Sequence, residues 1–150
     1  MKQRKVLAVA SAGGHWVQLM RMTAAFSHHQ VHWMSTASGL SEKIPCGDFT
    51  AVRDASMWDK PGLMVMATQV FWHVLRLRPD VVITTGAAPG YFAVVFGRIL
   101  GARTIWVDSI ANADELSLAG RKAGRWAHHW LTQWPELARD SGPHHIGAVL

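Results

Sequence analysis

The chain alternates between short apolar runs rich in Val and Ile and longer segments whose apolar residues recur at helical spacing. Residues 5–10 read as a buried strand, broken by Ser11-Ala12-Gly13-Gly14, and an apolar segment of helical length, 16–26, follows. Residues 31–35 predict a second strand and 49–53 a weaker third, while the Ser, Gly and Pro content of 36–47 marks a long loop. Pro61 sits where a first helical turn tolerates it, and 63–77 continue as a helix, apolar almost all round, until Arg76, Arg78 and Pro79 end it.

The second half repeats the rhythm. Residues 80–85 are another β-branched run, Gly86-Ala87-Ala88-Pro89-Gly90 a second glycine turn, and 91–100 a small-residue helix capped by Gly101. Residues 103–107 read as strand, Ser117 precedes a helical stretch to 127 that carries Arg121, Lys122 and Arg125, and 129–133 return to strand character. Strands alternating with helices predict right-handed crossovers and a parallel sheet covered on both faces. The expected architecture is a single doubly wound, Rossmann-like α/β domain over 1–150. The tail, 140–150, carries a turn signal at Ser141-Gly142-Pro143 and an apolar end that a monomer has little room to bury, so it reads as a docking segment.

Composition narrows the function. Apolar residues make up 49% and charged ones 17%, which excludes a disordered chain. The single Cys46 excludes an internal disulfide and a thiolate zinc module, and fits a reducing cytoplasm. The apolar stretch after the basic start is too short for a leader core, and no window reaches the length of a spanning helix, so neither export nor a bilayer crossing is expected. With 15 Lys plus Arg against 10 Asp plus Glu, the formal charge is +5 with His neutral; together with eight Trp, this suits an anionic membrane surface. Nucleic acid is not an expected partner, because those Trp lie in apolar segments and not between basic residues as stacking platforms.

Both glycine turns lie between the end of a strand and the start of a helix, where open α/β sheets bind ligands. The first, Ser11-Ala12-Gly13-Gly14-His15, lacks the GxGxxG and GxxxxGK[ST] spacings, which argues against NAD and ATP, and a tight turn needing positive φ accounts for it equally well. His15, at the mouth of that turn, has the side chain suited to general-base work near neutrality; a capping or solvated histidine is the plainer alternative. The adjacent pairs His28-His29, His128-His129 and His144-His145 do not point the same way on a strand, so no metal site is expected. The 63–77 helix fits an interfacial membrane element, with Phe71 and Trp72 in the headgroup layer and Arg76 and Arg78 on phosphates, nearly as well as a buried crossover helix. Asp108, directly after a strand, and Ser117, a natural N-cap, could each reach a ligand at the sheet edge, on the loop that carries Asn112, Asp114 and Glu115.

Three stretches, SAGGH after the first strand, VITTGAAPGYFAVVFGRILGART in the middle and WVDSIANADELSLAGRKAGRWAHHWLTQWPELA near the end, resemble the Alg14/PssD family of polysaccharide and oligosaccharide biosynthesis subunits. The layout is similar to the acceptor half of MurG-type GT-B glycosyltransferases. The resemblance implies half of a split GT-B enzyme, needing no metal or other cofactor, whose separate Alg13/PssE-like chain binds the UDP-sugar donor. The implied reaction is sugar transfer to a lipid-diphosphate-linked acceptor at the cytoplasmic face of the cell membrane, where the chain would sit peripherally, inactive alone. The length agrees, since about 150 residues hold one such domain. On these residues, Gly13, Gly14 and His15 would meet the acceptor, with His15 a possible base, and Gly86, Pro89 and Gly90 would face its diphosphate. Asp108 stands where relatives often carry Glu, and His128 where Asp is common. Trp134, Pro135 and the tail residues Ile146, Val149 and Leu150 would form the partner interface. The alternatives are a non-catalytic membrane scaffold for the catalytic chain and a stand-alone nucleotide-binding Rossmann enzyme.

Overall fold

The computed structural model describes residues 2–149. Six strands, β1 (Lys5–Val9), β2 (Gln30–Ser35), β3 (Asp48–Ala51), β4 (Val81–Thr84), β5 (Arg103–Val107) and β6 (His129–Leu131), form one sheet in the order β3-β2-β1-β4-β5-β6. Every neighbouring pair is parallel. Among the described residues the α-helices are α1 (Gly14–Arg21), α2 (Lys60–Leu77), α3 (Ala87–Ile99) and α4 (Leu118–Ala123).

β1 lies at the centre, and its run from Val6 to Val9 is buried throughout because a parallel strand is covered on both faces. Alternation divides the core in two. Leu7 and Val9 join Met66, Val70 and Val74 of α2, Ala93 and Val94 of α3, and Trp106 on one face. Val6 and Ala8 join Trp16 and Leu19 of α1, Phe26, Val31 and Trp33 on the other. The doubly wound Rossmann-like expectation holds.

Local chemistry moves several boundaries. The first helix stops at Arg21, short of the expected 26, because the Thr23 hydroxyl donates to the Met20 carbonyl (2.6 Å) and the chain tightens into a 3-10 turn at Thr23–Ala25. The 36–47 loop is irregular as expected, with a 3-10 segment, Ser38–Lys43, in place of a crossover helix. α2 starts at Lys60, where the Asp59 carboxylate accepts from the Gly62 amide (3.0 Å). It buries Gly62, Met66, Val70 and Val74, one stripe at a spacing of four, and leaves Met64, Val65, Phe71 and Trp72 exposed. α4 ends at Ala123 and β6 at Leu131, both shorter than the pattern predicts. Among the described residues, no helix is long and apolar enough to cross a membrane.

The tail is partly docked on its own sheet. The His144 amide donates to the Trp130 carbonyl (2.8 Å), the Thr132 amide donates to the His144 carbonyl (2.9 Å), and the Val149 amide donates to Gln133 Oε1 (2.7 Å). Residues 144–149 thus run beside β6, yet Ile146 stays 80% exposed.

Candidate active site

The strand order reverses between β1 and β4. The chain leaves β1 for α1 on one face and β4 for α3 on the other, so a crevice opens at their carboxyl ends. Both helices there are preceded by a glycine at positive φ, Gly13 at 87° and Gly86 at 129°, and no side chain caps either one. Their first-turn N–H groups are therefore open to an anion. Gly13 and Gly14 are exposed, with nothing within 4 Å of where a Cβ would be, so a ligand can approach the bare backbone.

His15, the second residue of α1, is half-buried in this crevice, and β4 orients it. Its Nδ1 lies 3.0 Å from the Thr85 carbonyl oxygen, while the Thr85 hydroxyl donates to the His15 carbonyl (2.6 Å). A carbonyl only accepts, so Nδ1 carries the proton and Nε2 presents its lone pair. Among the described residues Nε2 has no hydrogen-bond partner. Gly86 completes the arrangement: a Cβ there would lie 2.9 Å from His15 Cε1 and Nδ1, and the φ is one that side chains rarely adopt.

The next residue is strained. Ala87 has φ 69°, in the left-handed region that costs a non-glycine residue about 1–2 kcal/mol. Ala87→Gly is expected to raise stability by about 0.5–1 kcal/mol, after the entropy that glycine adds to the unfolded chain is subtracted. Urea midpoints of the two proteins check this; an unchanged or lower midpoint would show that no strain is stored there.

The second turn is smaller than expected. Only Gly86 lies in it; Pro89 and Gly90 belong to the first turn of α3 and are buried. A Cβ on Gly90 would fall on Thr84 Oγ1, so this glycine lets α3 approach β4, and Pro89 has no N–H to offer an anion.

Asp108 is 1% exposed, and its carboxylate is engaged by the protein. Oδ1 accepts from the Ser117 hydroxyl (2.6 Å) and the Trp106 indole (3.1 Å), and Oδ2 from the Ser117 amide (3.0 Å) and the Asn112 side chain (3.2 Å). Ser117 also accepts from the Gly120 amide (2.9 Å) as the N-cap of α4. These two residues fold the 109–117 loop onto the sheet edge, where it closes one side of the crevice region.

A buried amide pair has no signature in the sequence. Gln133 Nε2 donates to Gln18 Oε1 (2.6 Å) and to the Asp108 carbonyl (3.0 Å), while Gln18 donates to the Ser109 hydroxyl (3.1 Å) and accepts from the Ile110 amide (3.1 Å). The pair ties α1, the 109–117 loop and the end of β6 together. Trp134 joins the same loop, its indole donating to the Ile110 carbonyl (2.7 Å), while Pro135 and Ile146 are exposed and Val149 is half-exposed. Leu150 lies outside the described residues.

Comparison with known proteins agrees with the resemblance read from the motifs. No family model matches the chain. It is 33% identical over 85 residues to the UDP-N-acetylglucosamine transferase subunit ALG14 of Eremothecium gossypii, covering 49% of this chain and 38% of that protein. It is 31% identical over 74 residues to the alg14 subunit of Schizosaccharomyces pombe, covering 46% and 35%. The chain thus spans well under half the length of these curated relatives. Among solved structures, MurG of Acinetobacter baumannii superposes with a TM-score of 0.75 over 97% of this chain and 45% of that one, at 13% identity. The UDP-N-acetylglucosamine 2-epimerase of Rickettsia bellii superposes with 0.69 over 90% and 40%, at 12% identity. One fold serving both a transferase and an epimerase does not by itself choose a reaction. In sequence the chain is similar to Alg14 subunits over about half its length, and its fold is the Rossmann-like fold of GT-B enzymes such as MurG.

Proposed function

We propose that this chain is the acceptor-binding subunit of a two-chain glycosyltransferase acting in polysaccharide biosynthesis. The observation that carries the reading is the Nδ1-protonated His15, held by Thr85 between two uncapped helix N-termini. A lipid-diphosphate-linked acceptor would lay its phosphates against the amides at Gly13 and Gly14 and the first-turn amides of α3, since the buried Gly86 amide already donates to Thr84 Oγ1 (3.1 Å). Nε2 of His15 would take the proton of the acceptor hydroxyl as its oxygen bonds to the anomeric carbon of a UDP-sugar, whose bond to UDP breaks. The donor would be supplied by an Alg13/PssE-like chain docked near Trp134, Pro135 and the 144–149 tail. Exposed Met57, Trp58, Met64, Phe71 and Trp72, with the basic residues of α2, offer a surface for anionic lipid on the cytoplasmic face of a membrane.

The test is a transfer assay with radiolabelled UDP-N-acetylglucosamine and membrane lipid acceptor, using the chain alone and together with its co-purifying partner. Transfer is expected only from the pair. Transfer by the chain alone would overturn the split-enzyme reading, and the absence of any co-purifying small chain would remove its support.

A further inference from the structure

The opposite edge of the sheet holds a second concentration of charge. There the amino ends of β1, β4 and β5 lie side by side, fixed by hydrogen bonds from the Lys5 amide to Asp80 Oδ2 (2.8 Å), from the Asp80 amide to the Lys5 carbonyl (2.9 Å) and from the Arg103 amide to the Asp80 carbonyl (2.9 Å). They bound an open cavity of about 550 Å³ whose charged and polar walls come from Arg4, Arg78, Arg103, Asp80 and His128. Three arginines and one aspartate thus line it. None of the three takes part in either ion pair found among the described residues, Arg53–Asp59 and Arg121–Glu115.

All five of these charged and polar residues are exposed, open to an anion arriving from solvent. Helix carboxyl ends attract cations, which accounts for Arg98 in the last turn of α3, but Arg4 and Arg103 sit on strand entrances where no helix dipole calls for them. Arg78 ends α2 at φ 48°, a position where glycine is the unstrained choice, so the chain holds an arginine there against its backbone preference. The Thr104 amide donates to His128 Nδ1 (3.0 Å), which leaves the ring proton on Nε2 as a donor. Slight desolvation of this otherwise exposed ring, followed by the neighbouring charges of Arg98, Arg103 and His129, lowers the His128 pKa from its usual value.

We propose that this cavity binds a phosphate or diphosphate group, recognised by Arg4, Arg78, Arg103 and the His128 ring, at a site separate from the switch-point crevice. Arginine forks suit phosphate oxygens, and the volume admits a diphosphate with part of what it carries. The proposal does not rest on sugar transfer, since His15 lies at the other end of the strands.

The experiment is a titration of the full chain with inorganic pyrophosphate, followed by the NMR signals of the His128 ring and repeated for Arg103→Gln and Arg78→Gly. A saturable response is expected at His128 in the natural protein, with affinity reduced about tenfold or more in each variant. Arg78→Gly is expected to melt no lower than the natural protein, because glycine relieves the left-handed residue, so its lost affinity cannot be laid to unfolding. No saturable response at His128, or equal affinity in both variants, would overturn the proposal. Competition by phosphatidylglycerol vesicles, but not by phosphatidylcholine vesicles, would support the site and give the phosphate a lipid source. Binding that vesicles leave untouched would support it with a soluble phosphorylated ligand.

Discussion

If His15 is the base of the proposed two-chain transferase, His15→Asn is expected to lower its kcat by about a hundred- to ten-thousandfold, the range that a positioned general base contributes, with little change in KM. Asparagine is the informative replacement because its amide NH2 stands near the position of Nδ1 and can still donate to the Thr85 carbonyl, while nothing replaces the lone pair of Nε2. Melting temperature should therefore stay within about a degree or two. A His15→Asn complex with full activity would favour the scaffold reading, in which this chain contributes neither acid nor base.

Asp108→Ala is expected to destabilise the fold by about 3–5 kcal/mol, which for a chain of this size lowers the melting temperature on the order of 10 °C. The reason lies in what the carboxylate accepts. Without it, the Trp106 indole, the Ser117 amide and hydroxyl, and the Asn112 side chain lose their acceptor in a region that water reaches poorly. Ser117→Ala should cost less, about 1 kcal/mol, because it removes a cap and one of four donors. Differential scanning calorimetry of both variants checks the ranking. If Asp108→Ala left the melting temperature unchanged and removed only transfer, Asp108 would be an acceptor contact and not the anchor of its loop.

The sequence exposed what periodicity governs. The strand runs, the two glycine turns and the long apolar α2 all announce themselves through spacing and composition, and position at the carboxyl ends of strands was enough to single out His15 and Gly86. Hydrogen bonds between distant residues were not legible. Thr85 reads only as the end of a β-branched run, yet it clasps His15 from both sides. Gln18 and Gln133 are 115 residues apart and polar, which predicts two exposed side chains; each is buried because the other satisfies it. The turn expected at 86–90 is longer than the observed one because Pro89 and Gly90 usually mark loops. Here the first turn of a helix tolerates the proline, and β4 leaves no room for a side chain at residue 90. The resemblance to Alg14 carried the functional reading further than any of these patterns could.

The clasp between His15 and Thr85 also bears on the order in which the molecule assembles. Its two members are 70 residues apart, and they meet only when β4 pairs with β1. Before β4 takes its place beside β1, the histidine has neither its orienting carbonyl nor the second helix N-terminus beside it. The site is thus a product of closing the long crossover through α2, and a non-local pairing of this kind belongs among the slower steps of folding.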